Sequence, residues 1–532
     1  MTLVSGILRG TGSLRGFLKE GDIAMVAKSS RARPDVKRYV LLANRGLHSD
    51  ALKLTAAAEQ QFAQAMFVRV GLPAKAARPK TAMKVLHSME DSGPKLVELS
   101  DAEALALKAS NAGIKLVPEV LYHVARSPRW QIVKQSSGAL AASAAAGIVI
   151  KVADAASGKP VKGAQLVAFT DFANGVGQQG TSNAKGMVTL KFTTSSKKLE
   201  LLLIYGPEGY WGLCERDVKI KQGETKKLAH VDLDVPDYLD TLYGTHADNA
   251  GAGLRVGVID TGVDGKHPDL KLAGGAAFVA DESDAGGPGP AKLEGEHGTH
   301  VAGIIAARGH KPRGKKGVAP GVELYSYRVF PNAGGGASNY DILRAIEQGV
   351  QDQCDLLNLS LGAATPDEAV RDAIKSAFDQ GVLCIVAAGN DGRQPVSYPA
   401  AWAESVAVSA AGKQGTFPVS SSEALDIAPP PATSSKQAFI AQFSNIGPQV
   451  DVTGPGVGIV STLPGGAYGV MSGTSMACPA VTGAAAALLA AQPQVLAMPR
   501  DRQRATAMLA VINAAAKPLG FPKDLEGLGL LP

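Results

Sequence analysis

The sequence predicts an α/β chain built as three units: a parallel sheet with helices on both faces over 240–532, preceded by a small α+β domain over 36–128 and a small β-sandwich over 136–236. Three observations carry this. Beyond residue 250, near-continuous apolar runs (LRVGVID, VELYSYRVF, CDLLNLSLG, VLCIVAAGN, ESVAVSAAG) alternate with helical segments, as parallel strands buried on both faces do. Between 148 and 236, short β-like runs are separated by turn chemistry alone. Before residue 136 the patterns follow the order β-α-β-β-α-β, the split βαβ plan.

Residues 1–35 read as a flexible basic leader ending in SSRARPD. From Arg38, RYVLLANRG alternates and stops at glycine, as a strand does, and 50–66 has helical spacing and helix-forming composition. A Pro/Lys/Arg-rich link at 72–80 leads to strands AMKVLHSM and KLVEL, to helix DAEALALKASN behind a Ser100 cap, and to a final strand IKLVPEVLYHV. The Ala/Ser-rich stretch 136–147 marks a boundary. The sandwich strands are GIVIKVAD, AQLVAFTD, GMVTLKFT, KLELLLIYG and KKLAHVDLDV, and no catalytic constellation is visible among them. Helices HGTHVAGIIAARG, NYDILRAIEQGVQDQ, DEAVRDAIKSAFDQG and SMACPAVTGAAAALLAAQ complete the last unit.

Charge is unevenly spread. Residues 1–150 hold 21 Lys and Arg against 11 Asp and Glu, 151–250 hold 12 against 12, and 251–532 hold 21 against 25, within a net charge of +6. The basic charges of the front stand singly among apolar residues, with no cluster interleaved with aromatics, which argues against a nucleic-acid face and for attraction between front and back. No window reaches the ~18 uninterrupted apolar residues of a membrane span. Four cysteines in 532 residues make no disulfide framework, and Cys354 and Cys384 lie in apolar runs as small buried hydrophobes. The first 22 residues lack the apolar stretch of a secretory signal, so the chain is expected to be cytoplasmic or exported by a non-classical route.

In an open α/β sheet the ligand site lies at the carboxyl ends of the strands. Four glycine-rich pieces sit there: RVGVIDTGVDGKHPDL with Asp260 ending a strand, GEHGTHVAG with His297 opening a helix, IVAAGNDG with Asn390 after a strand, and MSGTSMACPAVTG with Ser475 at a helix N-terminus. An Asp, a His and a Ser on separate elements are what nucleophilic acyl transfer requires. Singly, Asp260 could be a turn former, His297 and His300 metal ligands, and Ser475 a helix cap. No third His or Cys ligand is apparent, and the ordered set of four is too specific for those readings.

The segments VGVIDTGVDGKHPDL, HGTHVAG, NLSLG, VAAGN and GTSMACP resemble the subtilisin-like serine peptidases, over about 240–532. The resemblance implies that Asp260 orients an imidazole, His297 is the general base, Ser475 the nucleophile, and Asn390 with the Ser475 N–H the oxyanion hole. It further implies substrate contacts at Ser360-Leu361-Gly362, Gly334-Gly335-Gly336 and Ala387-Ala388-Gly389. The small residues of these walls predict an apolar or aromatic residue at P1, the residue before the cut bond. No cofactor is required. Many relatives bind calcium after the His helix, with the Asp of HPDL as a partner. Here that stretch is ARGHKPRGKKG, so a strong calcium site is not expected, and Asp269 is expected to pair with Arg308, Arg313, Lys315 or Lys316 instead. The Ser/Pro-rich insertion at 412–437 reads as a surface loop.

Residues 38–125 resemble the inhibitory propeptides of that family, which implies a self-processing zymogen cut near Tyr122–Arg129, with the N-terminal domain as intramolecular inhibitor. The partners expected are therefore protein or peptide substrates and the chain's own front. Two other readings remain beside serine endopeptidase: a peptide ligase or macrocyclase on the same scaffold, and an inactive binding protein of the same fold.

Overall fold

The computed structural model describes residues 36–44, 46–53, 83–135, 147–283, 286–310, 313–430, 432 and 437–532. The leader, most of the helix expected at 50–66, the link at 72–80 and the boundary stretch up to residue 146 lie outside the described residues.

The front sheet has the order Lys84–Ser88, Lys95–Ser100, Val36–Ala43, Ile114–Pro118, all neighbours antiparallel. Helix Asp101–Ser110 begins at a reciprocal cap in which Ser100 and Glu103 satisfy each other's backbone N–H. It covers one face of the sheet through Leu41, Val97, Leu99, Ala104 and Leu107. The other face, with Val40, Leu42, Leu96 and Val117, joins a core shared with helices Asn339–Gln351 and Glu368–Asp379. Polar contacts edge this interface: Arg38 is bidentate to Asp281 (2.7 and 2.8 Å), His48 Nε2 lies 2.7 Å from Glu347 Oε1, and Lys115 pairs with Asp372. Exposed pairs of this kind contribute about 0–1 kcal/mol each, so the apolar contact dominates the docking.

The expected final strand IKLVPEVLYHV is two strands. Pro118 has no N–H to donate and ends the first; after it the chain turns, and Leu121–Val124 enters a different sheet.

Over 148–228 a three-stranded sheet (Met187–Leu190, Ile148–Asp154, Thr225–Leu228) and a five-stranded one (Leu213–Lys221, Ser196–Tyr205, Gln165–Asp171, Val176–Thr181, Lys134–Gln135) enclose one apolar cluster that includes Ile150, Val152, Leu166, Leu202 and Ile204. Three of these strands were not expected: the two-residue Lys134–Gln135, Val176–Thr181 and Leu213–Lys221. VGQQGT has two glycines and no apolar alternation, and LCERDVKIK is a charged edge strand.

The large sheet runs Leu272–Ala277, Glu323–Arg328, Arg255–Asp260, Leu356–Leu359, Leu383–Ala387, Ser405–Lys413, all parallel; Val452–Pro455 adds in parallel and Ala438–Ile440 antiparallel at its far side. Its strands bury both faces. Val256, Val258, Leu383 and Ile385 point to helices Glu296–Ala306 and Thr474–Ala490, while Ile259, Leu357, Cys384 and Val386 point to the opposite helix pair. This is why the runs read as continuous apolar stretches. No helix among the described residues is long and apolar enough to cross a membrane.

Helix Arg502–Ala515 is locked to the sheet by Arg504, 2% exposed, whose Nη2 donates to Asp355 Oδ1 at 2.6 Å and Nη1 to the Gly381 carbonyl at 2.6 Å. Asp355→Ala strands that buried guanidinium, and breaking such a pair costs about 3–5 kcal/mol. The variant is expected to melt many degrees below the parent in differential scanning calorimetry on a Ser475→Ala background; an unchanged melting temperature would show that the pair contributes nothing.

Candidate active site

Three adjacent strands deliver their carboxyl ends to one place. Asp260 closes Arg255–Asp260, Ser360 follows Leu356–Leu359, and Ala388-Gly389-Asn390 follow Leu383–Ala387. Asp260 Oδ1 accepts the Thr261 N–H (2.7 Å) and the His297 Nδ1–H (2.8 Å), and both side chains are fully buried. A carboxylate on Nδ1 puts the imidazole proton there and leaves Nε2 as an acceptor. Gly298 permits the approach, since a Cβ there would lie 2.4 Å from the Gly262 carbonyl.

Ser475 occupies the first turn of helix Thr474–Ala490, where backbone N–H groups have no partner within the helix. Its Oγ donates to the Ser360 carbonyl at 2.9 Å, so the hydroxyl and His297 are not hydrogen-bonded to each other. Asn390 Oδ1 accepts from both the N–H (2.9 Å) and the hydroxyl (3.0 Å) of Thr474. This fixes the amide with Nδ2 facing away. Asn390 Nδ2, His297 Nε2 and Asp260 Oδ2 are buried without a hydrogen-bond partner among the described residues.

The chain's own front fills the adjoining groove. Leu121–Val124 lies antiparallel between Ala337–Ser338 and Leu361–Gly362, with Tyr122 opposite Ala337 and Val124 opposite Leu361. Ala125 continues it: its N–H donates to the Ser360 carbonyl and its carbonyl accepts the Ser475 N–H, both at 3.1 Å. Ser127 N–H donates to the Ser472 carbonyl at 2.8 Å. Gly473, at φ 155°, must lack a side chain, because a Cβ would stand 2.5 Å from the Ala125 carbonyl oxygen. The peptide bond Ala125–Arg126 is thus presented to Ser475.

Residues 251–529, which hold Asp260, His297, Asn390 and Ser475, match the family model "Subtilase family". The chain belongs to the subtilase family. It is 39% identical to subtilisin NAT of Bacillus subtilis subsp. natto over 262 residues, 48% of this chain and 61% of that relative. It is 38% identical to a subtilisin of Bacillus pumilus over 48% of this chain and 84% of that protein. It is 34% identical to the thermostable alkaline protease of Halalkalibacterium halodurans over 60% of this chain and 77% of that relative. The chain thus spans less than two thirds of the length of the first of these.

In this subtilase the structure brings Asp260, His297, Asn390, Ser475 and Ser360-Leu361-Gly362 together, with Ala387, Ala388 and Gly389 buried at the strand end beside them. The pairing partners on the other side are Ala337 and Ser338; of the three glycines, Gly336 touches the segment, 2.8 Å from Leu121 Cβ to a Cβ built on it, while Gly334 and Gly335 flank His123 and Val124. Sequence reasoning missed Thr474, which orients Asn390; Ala125 lies within the span Tyr122–Arg129 where the propeptide resemblance put the cut, without being singled out there.

Two expectations are corrected. Asp269 pairs with none of Arg308, Arg313, Lys315 and Lys316: its oxygens accept the N–H groups of His310 and Lys315 and the Tyr468 hydroxyl (2.7 Å). The cations turn instead to the connection before the large sheet, Lys315 to Asp237 (3.3 Å) and Asp240, Lys316 to Asp248 (2.7 Å) and Arg313 to Asp234. The insertion is not only a surface loop. Ser421, Glu423 and Ala428 are buried, and the Ser420 carbonyl accepts the Cys214 N–H, so this part of it packs on the five-stranded sheet.

His300 is a structural residue whose Nε2 lies 3.1 Å from the Ile459 carbonyl and 3.2 Å from that of Gly469. Burial, with a smaller contribution from His297, pushes its pKa down to about 3. An unfolded His takes a proton near pH 6.5, so below that the unfolded state binds a proton that the native state does not, at up to about 1.4 kcal/mol per pH unit. Stability from this group is therefore present above pH 6.5 and lost as pH falls toward 3. On a Ser475→Ala background, His300→Gln is expected to flatten the fall of melting temperature between pH 7 and 4; parallel profiles for the two proteins would contradict it.

Proposed function

We propose that this subtilase is a serine endopeptidase made as a self-processing precursor, in which 36–125 is a propeptide-like α+β domain and 148–236 a β-sandwich that stays with the enzyme. The observation that carries the proposal is the Ala125 carbonyl on the Ser475 N–H, at the end of a strand paired on both sides.

In this reading Ser475 Oγ turns from Ser360 toward His297 Nε2, gives up its proton there and attacks the Ala125 carbonyl carbon. Asp260 holds the Nδ1–H tautomer and stabilises the imidazolium. The oxyanion receives the Ser475 N–H, aided by the positive end of the helix, and the Asn390 Nδ2–H₂ that has no other partner. Removing one such donor in a subtilisin costs about 10²–10³ in kcat. His297 then protonates the Arg126 amine, and water releases Ala125 as the new C-terminus. The residue before the bond is the apolar Ala125, in keeping with the apolar P1 expected from the pocket walls.

The wild-type protein is expected to resolve into two pieces with Arg126-Ser127-Pro128 as the new N-terminus by Edman sequencing, and to label with a serine-directed fluorophosphonate. Ser475→Ala should stay full length and unlabelled. Identical patterns for the two proteins would exclude self-processing, and an unlabelled wild type that leaves casein intact would favour a binding protein on this fold.

We further propose that no strong calcium site is present. Asp269 already receives two backbone N–H groups and a hydroxyl, and a buried lysine with its two carboxylates stands beside it, which do not fit a cation needing six to eight oxygens. A tight site at 1,000 times its Kd would add about 4 kcal/mol. The melting temperature of Ser475→Ala is expected to be the same in calcium and in EDTA, and a large upward shift with calcium would reverse this proposal.

A further inference from the structure

Two side chains of the bound segment reach charged groups of the enzyme at opposite ends of the groove. Tyr122, three residues before Ala125, is fully buried, and its hydroxyl donates to Asp367 Oδ2 at 3.0 Å. Asp367 is itself 1% exposed and its other oxygen is engaged by the Ala369 N–H (2.9 Å) and Asn339 Nδ2 (3.2 Å), where it caps helix Glu368–Asp379. On the far side of the bond, Arg126 Nη1 donates to Glu296 Oε1 at 2.9 Å, with both side chains largely buried at 28% exposure. Glu296 directly precedes His297; burial pushes its carboxyl up, but the Arg126 cation and its hydrogen bond, a backbone N–H and His297 together hold it below the usual range.

From these contacts we infer that the cleft selects substrates with tyrosine three residues before an apolar residue and a basic residue immediately after the cut bond, through Asp367 and Glu296. The inference rests on the endopeptidase reading and names its substrate class. A phenylalanine in place of the tyrosine leaves a buried carboxylate oxygen without its donor, a site built for a hydroxyl being intolerant of its loss. Glu296 serves a further purpose beside His297. As the imidazole becomes cationic during attack, a neighbouring Arg side chain repels it, and the Glu296 carboxylate offsets that repulsion. The contact is a single N–H to a single oxygen, and Arg126 Nε and Nη2 have no hydrogen-bond partner among the described residues. It therefore reads charge rather than the guanidinium fork, and lysine substitutes for arginine.

The test uses the self-processed full chain and internally quenched peptides spanning Glu119–Arg129, with Tyr or Phe at position 122 and Arg, Lys or Glu at position 126. For the wild type, kcat/KM is expected to fall about 10–100-fold for Phe and at least 10-fold for Glu, and to differ less than about 3-fold between Arg and Lys. Asp367→Ser keeps a helix cap but cannot reach the hydroxyl, so it should erase the Tyr preference and leave the charge preference. Glu296→Arg should invert the charge preference toward the Glu peptide, a gain that misfolding cannot produce. Equal kcat/KM across the peptides, with cleavage proceeding, overturns the inference and leaves the endopeptidase reading standing. No cleavage of any peptide, with no fluorophosphonate labelling, overturns both.

Discussion

The strand Leu121–Val124 is the constraint around which the rest of the molecule is arranged. It is hydrogen-bonded on both edges by the backbone of Ala337–Ser338 and Leu361–Gly362, the mode in which an extended peptide completes a sheet. Two residues separate it from the front sheet, which ends at Pro118, so the sheet can dock only where its apolar face meets the helices Asn339–Gln351 and Glu368–Asp379. Downstream, only nine residues lie between Val124 and Lys134, which joins the five-stranded sheet beside Val176. One short strand therefore fixes the position of both added units relative to the site.

The site itself carries a cost that the surrounding hydrogen bonds offset. Three buried polar atoms of the site, Asp260 Oδ2, His297 Nε2 and Asn390 Nδ2, lack hydrogen-bond partners among the described residues. Each such atom ordinarily costs about 1–3 kcal/mol. They persist because their neighbours leave the side chains no alternative orientation: Thr261 N–H and His297 hold Asp260, and Thr474 holds the Asn390 carbonyl oxygen with two donors. Unspent hydrogen-bonding capacity, gathered at one point and held rigid, is what a site needs if it is to meet charge that exists only transiently.

Much of this was legible in the sequence, and the parts that were not share a physical reason. Strands buried on both faces announce themselves as apolar runs, and Asp260, His297, Asn390 and Ser475 sit in glycine-rich turns that the strand ends require. The strands Val176–Thr181 and Leu213–Lys221 were invisible because their residues take their places from neighbouring strands, not from their own alternation. The break at Pro118 was readable from its missing N–H, but where Leu121–Val124 goes depends on the groove between Ala337 and Leu361, which no local pattern encodes. Asp269 teaches the same lesson. The abundance of cations nearby suggested an ion pair, yet backbone N–H groups and Tyr468 reach it first, and the lysines turn to Asp237, Asp240 and Asp248.

The charge asymmetry of the sequence acquires a more exact meaning at the two sides of the Ala125–Arg126 bond. Upstream, the basic front meets acids of the enzyme at Asp281, Glu347 and Asp372, but these contacts lie at the rim of an apolar interface that does most of the holding. Downstream, the holding is more polar. Arg126 meets Glu296, Trp130 N–H donates to the Tyr205 hydroxyl at 2.8 Å, and the Arg129 guanidinium lies 5.3 Å from the centre of the Tyr205 ring, in a groove also lined by Glu423 and Asp426. The five-stranded sheet and the insertion thus build the half of the groove that lies beyond the bond, a half that the large α/β sheet alone does not provide. Burial of the upstream half depends on surface shape and is little altered by salt, whereas the downstream half depends on charge and on a continuous chain into Lys134. Severing the bond would free the first half to leave as a unit, while the second would stay attached by its own backbone to the units that follow it.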